Sequence, residues 1–567
     1  MKMMDIIAVG VCAAACGGLF WLAGYADRVK STKWKIFWLI VPLLAIGVSK
    51  HGLTVSLLPL YLGAVIAALG FFTELSGIRR RLAAAGAACM LLSFPVCLLN
   101  PRYRAKDYLG DFEKLSACMR EHYVLTDHKG IDWDALYAKY QPKFAEIDRT
   151  QDAGANLLTW GAFCGEFHDG HVGYTYSIKE DMAPANQAIR EALGHDYGLS
   201  LMRCTDGSFA AVHTDESLAE YGIRNGTVIT AWDGRSPDEV SRTAPLYDVN
   251  FFVYDEEKEE PTLIMGSYPD IDNEIFWSGV LCAGVGGDSV TVTYLDENGA
   301  EQTAVLPQCG DYLDRLTGTV KTVGQSVETG NLMWKRISRT TACLRIKGMS
   351  FDMKSYNSAD DDAYDEMKNE IRQQILEYQQ DGVKDVIIDL RGNEGGSPHM
   401  VNGVTAMFAP KGEHYCLTNC VWDKQNHCWA KDASGRYVKG NDIVYQGEQL
   451  LGDGRIIVLV DSATVSAGDI MTKEMEGLEN VTVIGFTGPN GSSQAVGMKA
   501  GKCGTLSFSN CVVLDENGEI AIDSGIDRQS GDGDGVEIIP FDREAIRALF
   551  DEGRDYLMDK ALEMLEQ

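Results

Sequence analysis

The sequence predicts a multidomain chain: four N-terminal transmembrane helices, a helical segment, a β-rich module, and an α/β core at the C-terminal end. Three observations lead there. The first hundred residues hold four apolar stretches of near-bilayer length. Residues 195–310 read as short strands punctuated by glycine. Beyond residue 330, β-branched apolar runs alternate with helix-length amphipathic runs. The expected divisions are 1–105 for the membrane part, 106–194 for the helical part, 195–310 for the β module and 330–567 for the core, with a polar linker near 310–330.

With 567 residues and a net charge of −30, the chain can bury a large core but offers no basic face for phosphate. Nucleic acid is therefore excluded as a partner. Of the 15 cysteines, Cys12, Cys16, Cys89 and Cys97 fall in apolar segments, and the remaining eleven are scattered without a C-x2-C pair. The densest group is Cys416, Cys420, His427 and Cys428. It suits free thiols or a cross-strand disulfide better than a zinc site, so no metal and no cofactor is expected.

The four apolar stretches run roughly over 5–26, 35–49, 53–73 and 82–99, each close to the ~20 residues that cross a bilayer. A single signal peptide does not explain four of them. Arg28, Lys30, Lys33 and Lys35 lie between the first two, and Arg79, Arg80 and Arg81 between the last two. Positive-inside reasoning puts both loops in the cytoplasm, hence everything after residue 100 on the extracytoplasmic side of a cell membrane. The stretches carry no ionisable residue deep within them, so they read as a multi-pass lipid anchor and not as a transport path.

From Tyr108 to about Leu193 the pattern is helical: Phe112, Leu115, Cys118 and Met119 recur at helix spacing, as do Leu136, Tyr137 and Tyr140. A third helix near Ala153 to Phe167 runs into His168-Asp-Gly-His171, where Gly170 ends it and the VGYTY run starts a strand. His171 thus stands at a helix-to-strand junction, a place for a packed histidine or a catalytic base. In the β module, Tyr197 to Met202, Ala210 to Val212 and Ala219 to Gly234 give short strands, one brief helix and Gly-marked turns, and the acidic run Tyr254 to Pro261 reads as an inserted loop. The module resembles a PDZ domain, a peptide-binding fold.

In the core, Thr341 to Ile346 reads as a strand, Asp360 to Gln379 as a helix, and Val383 to Leu390 as a strand that ends in Arg391-Gly-Asn-Glu-Gly395-Gly396. No G-K-[ST] follows and the G-x-G-x-x-G spacing is absent, so this loop suits close backbone approach to a carbonyl better than a nucleotide. Arg455 to Val460 is a further strand. Asp461-Ser-Ala-Thr-Val-Ser466-Ala-Gly-Asp469 carries the chain into a helix. Ser466 has two readings: an exposed nucleophile on a strand-to-helix bend, or the first residue of an S-x-x-D helix cap.

HDGHVGY, VIIDLRGNEGG and VLVDSATVSAGDI, in that order and with a PDZ-like module between the first two, together resemble the C-terminal-processing peptidase and tricorn protease family of serine peptidases. The resemblance covers roughly residues 108–545. It implies a crotonase-like core of βα units and an acyl-enzyme mechanism on peptide bonds of a protein or peptide substrate. It further implies Ser466 as nucleophile, Ala467 N–H with a glycine of Gly395-Gly396 as oxyanion hole, and His171 as the histidine of the tricorn-like branch. The processing-peptidase branch uses a lysine in a G-E-P-T-x-G-K-G-S stretch. Here Gly485-Phe-Thr-Gly-Pro-Asn490-Gly-Ser492 puts Asn490 in its place, so a serine/lysine pair would need Lys473 or Lys499. The tricorn-like acid corresponds to Asp532, with Asp534 as the alternative. The expected activity is that of a membrane-anchored serine endopeptidase. The competing expectations are an inactive peptidase fold that binds peptide or lipid, and a membrane sensor.

Overall fold

Asp132 and Asp152 each start a helix with a side-chain oxygen, which accepts from Asp134 N and Ala135 N in one case and from Ala155 N in the other. The helices α1 (Tyr108–His122), α2 (Trp133–Thr150) and α3 (Ala153–Gly165) follow the sequence-predicted pattern. Phe112, Leu115, Met119, Leu136 and Tyr140 are buried as expected, whereas Tyr137 is exposed with its ring stacked over Phe112. Trp160 of α3 stacks at 4.6 Å on Tyr174 of β1 (Gly173–Tyr176), so the helical part is packed directly on the strand that follows His171. Helix α4 (Lys179–Leu193) closes this part.

The computed structural model describes residues 106–176, 179–246, 250–254, 262–266, 268–325, 332–349, 361–528 and 535–567. The predicted fold class is corrected on one point. No helix among the described residues is long and apolar enough to cross a membrane, so a four-helix anchor is no part of the described fold. The four apolar stretches themselves lie outside the described residues. Residues 108–567 form one compact unit.

Five antiparallel strands make the β module's sheet: β2 (Ser200–Arg203), β3 (Phe209–Val212), β4 (Val228–Trp232), β7 (Ser289–Leu295) and β8 (Glu301–Pro307), in that order. The intervening β5 (Asn250–Tyr254) and β6 (Thr262–Gly266) leave the module. They join β1 in a second sheet, whose other members are β16 (Val496–Ala500) and β17 (Gly504–Ser509). Helix α5 (Ile271–Cys282) lies against edge strand β2 so closely that a Cβ on Gly279 would sit 2.8 Å from the Leu201 carbonyl oxygen. That edge has no room for an added strand. The expected linker near 310–330 contains instead a helix, α6 (Leu313–Val323). Its buried Leu313, Leu316, Thr319 and Val323 form a stripe that polar neighbours disguise in the sequence.

The core sheet has the order β9 (Leu332–Arg336), β10 (Thr341–Ile346), β11 (Asp385–Asp389), β14 (Ile456–Leu459), β15 (Val481–Gly485) and β18 (Val536–Ile538). All are parallel except edge strand β9. Helices α7 (Asp361–Gln380), α8 (Pro398–Phe408) and α9 (Ala467–Glu476) cover one face. Ile371, Val404 and Met471 pack there on Ile388 and Val458, and each such buried side chain contributes roughly 1.5–3 kcal/mol. The hairpin of β12 (Gly412–Cys420) and β13 (Lys439–Gly447) projects from α8, and α10 (Tyr556–Glu566) ends the chain. The other face shares one continuous hydrophobic cluster with α1–α3 and the β module.

Candidate active site

Parallel strands deliver their C-terminal ends to one side of a sheet, which is where open α/β sheets build sites. Here β10 leads to Met349, β11 to residues 391–396, β14 to residues 461–466 and β15 to residues 486–492. Inter-loop bonds fix these segments against one another: Val465 N–H to the Asn393 carbonyl (2.9 Å), Ser466 N–H to the Ser492 carbonyl (2.9 Å), and Met349 N–H to the Gly395 carbonyl (2.7 Å).

Beneath the first loop, Arg391 is fully buried, with paired bonds to Asp389 (2.8 Å each) and to Asp555 (2.8 and 2.7 Å). Burial by itself would raise the Asp389 carboxyl, but Arg391 and Arg345 hold it below the usual range. The fork locks the loop to α10. Above it, Asn393 donates to the Ile346 carbonyl (2.8 Å) and accepts the Gly395 N–H (2.9 Å), so that N–H is already committed. The bridge between Met349 and Gly396 uses the Gly395 carbonyl and the Ser397 N–H, leaving Gly396's own N–H out of it.

Ser466 is half-buried at φ 62° and ψ −116°, a backbone that L-residues avoid, and its side chain makes no cap bond to α9. The S-x-x-D segment is not a capping box. Asp469 reaches across and accepts Gly491 N–H (2.8 Å) and Ser492 N–H (3.4 Å). A Cβ on Gly395 would lie 2.6 Å from the Ser466 Cβ and 3.2 Å from the Ala467 nitrogen, so the glycine backbone is pressed onto the serine. Ala467 is the first residue of α9, where a backbone N–H has no intrahelical partner.

His171 arrives from the other sheet. Its own N–H is held by Asp169 Oδ1 (2.8 Å), and the neighbouring Gly170 N–H is held by Ser492 Oγ (2.9 Å). Ser492 therefore binds the Ser466 backbone with its carbonyl and the His171 turn with its hydroxyl. The imidazole is buried, which pushes its pKa down against the opposing pull of Asp169 and the Gln494 carbonyl. Its Nδ1 has no hydrogen-bond partner among the described residues. Asn490, the residue in the lysine position, is buried with its side chain against Gly170 and its Nδ2 on the Ser462 carbonyl (3.2 Å). Lys473 is half-exposed and paired with Glu476, and Lys499 is exposed on β16. Asp532 and Asp534 lie outside the described residues. Among the described residues, no group of three or more His, Cys, Asp or Glu side chains is set to hold a metal.

Residues 340–529 match the model of peptidase family S41, and residues 104–156 match the tricorn protease C1 domain. Residues 340–529 thus carry a peptidase family S41 domain. It is 28% identical over 148 residues to the putative tricorn protease homolog 2 of Streptomyces coelicolor, covering 25% of this chain and 12% of that one. Tricorn protease homolog 1 of the same organism is 27% identical over 154 residues, covering 25% of this chain and 13% of that one. The chain thus spans a small part of those relatives' length. In fold it is similar to a crystallised CPAF mutant, with a TM-score of 0.50 at 14% identity over 82% of this chain and 98% of that one.

The candidate site contains residues that the sequence did not announce. Ser492 and Gln494 sit in ordinary loop composition, and Asp469 stood out only as part of a cap motif, not as the acceptor for the 491–492 amides. Asp169 stands two residues before His171, within a motif already singled out, yet its turn-forming bond shows only in three dimensions. Lys129 and Asp523 are far apart in the chain and buried together behind the His171 turn, where the carboxylate favours the charged lysine and the lysine favours the charged carboxylate.

Proposed function

We propose that this S41 peptidase hydrolyses peptide bonds of a protein or peptide substrate through an acyl-enzyme on Ser466, with His171 as base. The observation that carries the reading is Ser466 itself: an uncapped serine in a strained backbone, covered by Gly395 and tied through Ser492 to the histidine turn. The developing oxyanion would be held by Gly396 N–H and Ala467 N–H, at the positive end of α9. Burial keeps His171 neutral near pH 7, the form that accepts a proton from the serine hydroxyl. The exposed positions of Lys473 and Lys499 speak against a lysine base. Asp532 remains the proposed acid and Asp534 the alternative, while Asp169 is the carboxylate that holds the histidine backbone. The β module's likeness to PDZ domains suggests peptide contact, but not by strand addition at β2, where α5 occupies the edge.

Labelling with a fluorophosphonate probe followed by peptide mapping tests the assignment. The adduct is expected on Ser466 and should be lost in Ser466→Ala and sharply reduced in His171→Gln. A folded chain with no adduct at Ser466 would favour the inactive peptide-binding reading. An adduct that survives His171→Gln would remove the histidine from its role.

A further inference from the structure

Lys129 follows α1 in the chain and is 8% exposed, an unusual setting for an ammonium. Its Nζ donates to the His168 carbonyl (2.8 Å) and to Ser524 Oγ (3.4 Å). His168 is held at φ 46°, and its carbonyl opens the turn in which Asp169 takes the His171 N–H. Across from it, Asp523 Oδ2 accepts the Ser493 N–H (3.2 Å), and Ser493 Oγ (2.9 Å) and Gln494 Nε2 (2.7 Å) both donate to the Ala521 carbonyl. Ser493 directly follows Ser492, whose carbonyl and hydroxyl hold Ser466 and Gly170. One buried cation thus sits where the His171 turn, the 492–494 loop and the 521–524 segment meet.

An ammonium taken out of water costs several kcal/mol unless counter-charges face it. Burial pushes the Lys129 ammonium down from its ordinary pKa, and the counter-charges that oppose this are Asp523 and Asp169, with Arg528, itself paired to Glu274, as the second cation. Of the other titratable groups around the cluster, burial holds His168, pushed down to about 4, and His171, also lowered, in the neutral form and pushes the Tyr123 phenol far up, while the His128 ring meets the Asp523 backbone carbonyl through Nε2 (2.9 Å). We propose that Lys129 is a positioning residue of the active site: the buried cation at the junction of the three loops that hold Ser466 and His171, tied to the His168 carbonyl and Ser524 Oγ and balancing the charge of Asp523, the chain neighbour of Ser524. This rests on the Ser466/His171 reading given above. Without the ammonium, two carboxylates share a buried site and one of them takes a proton. A neutral Asp523 then holds the Ser493 N–H by a weaker bond than a carboxylate does, and the loop beneath Ser466 loosens.

Burial pushes the Asp523 carboxyl up to about 7, against the pull of Lys129. Below that pH Asp523 is protonated with or without Lys129. Above it, only the chain that keeps the cation has the carboxylate. The test compares wild type, Lys129→Met, Asp523→Asn and the double variant in the full chain, by kcat/KM on a peptide substrate and by melting temperature from pH 6 to pH 8.5. At pH 8, each single variant is expected to lose about tenfold in kcat/KM through kcat, and the double variant to be no worse than the weaker single one. All deficits should shrink toward pH 6. Multiplicative losses, or a deficit equal at all pH values, would overturn the proposal, the latter because it would mean only a lost bond to the His168 carbonyl. If Lys129→Met does not fold, Lys129→Arg and Asp523→Asn decide. The first should keep the wild-type pH profile, and the second should converge with wild type at pH 6; failure of either sinks the idea. The melting temperatures read the coupling of the two buried charges without turnover. Coupling in the melts together with an active His171→Gln enzyme would place the fault in the histidine reading and not in Lys129.

Discussion

Ser466 occupies a backbone that costs of the order of 1–3 kcal/mol and gains no cap bond in return. A structural serine would not be kept there, because glycine would serve better. Ser466→Gly is therefore expected to raise the melting temperature, by up to about 1 kcal/mol in stability, and to abolish turnover. Ser466→Ala should abolish turnover with the melting temperature unchanged, since no helix-cap bond is removed; a large drop in its melting temperature would restore the capping role. At His171, burial lowers the pKa, so the rise of kcat/KM with pH should have its apparent midpoint below the ordinary imidazole value of about 6.5. A midpoint near 8 or above, measured on the free enzyme, would point to a different base. The sequence exposed these two residues because each stands at a glycine-marked junction. It hid Lys129, Asp523 and Ser492, because contacts between segments hundreds of residues apart leave no periodic trace.

At the scale of elements, the proposed chemistry falls to the 391–396 loop and α9. A methyl group on Gly395 would stand 2.6 Å from the Ser466 Cβ, at a residue whose φ is +80°. Gly395→Ala must therefore displace the serine, and we expect at least a hundredfold loss in kcat, a size typical of misplacing a reacting group by about 1 Å. Kinetics on folded protein, checked by circular dichroism, measure it; a variant within tenfold of wild type would separate the loop from the chemistry. Helix α9 also carries Glu474, buried beside Cys416 and Thr405, whose carboxyl burial pushes up to about 7 against the pull of those two neighbours. Its pKa is raised on folding, from an ordinary 4.5. No penalty exists below about pH 4.5; it grows between there and pH 7 and is complete above. Glu474→Gln should accordingly stabilise the chain at pH 8 by about 3 kcal/mol, with the gain fading as the pH falls toward 4.5. Equal stabilisation at pH 4.5 and pH 8, in denaturant melts, would rule this out. Strands β10, β11 and β14 were legible as short β-branched runs, and α9 was legible to within a few residues. Helix α6 was not, because its apolar stripe is thin and interrupted by Gly318 and charged neighbours.

Over the whole molecule, the sequence suggested a β module separable at residues 195–310, with a linker after it. The described structure ties that module to the loops around Ser466 through α5. Asn273 Nδ2 donates to the Pro489 carbonyl (2.8 Å), next to Asn490, and Trp277 Nε1 donates to Ser462 Oγ (2.8 Å), four residues before Ser466. Glu274 pairs with Arg528, the Ile271 N–H reaches the Arg528 carbonyl (3.0 Å), and Phe276 packs edge-on to Phe541 at 5.4 Å. The opposite side of the same helix closes the β2 edge through Gly279. Helix α5 is thus shared property: removing it would uncover Phe486 and Phe541, leave Arg528 without its carboxylate, and free the loops on either side of Ser466. A chain lacking residues 195–310 is expected to be insoluble or to lack a cooperative melt. The milder change, Trp277→Phe, keeps the ring and withdraws one donor from the buried Ser462 hydroxyl, worth about 1–3 kcal/mol for the unsatisfied group. It should lower the melting temperature by several degrees and slow fluorophosphonate labelling of Ser466 severalfold, and Asn273→Ala in the same chain should add less than its separate effect, because both bonds hold one loop pair. If the shortened chain folds and its Ser466 labels at the wild-type rate, the module is an accessory and α5 has no part in holding the site.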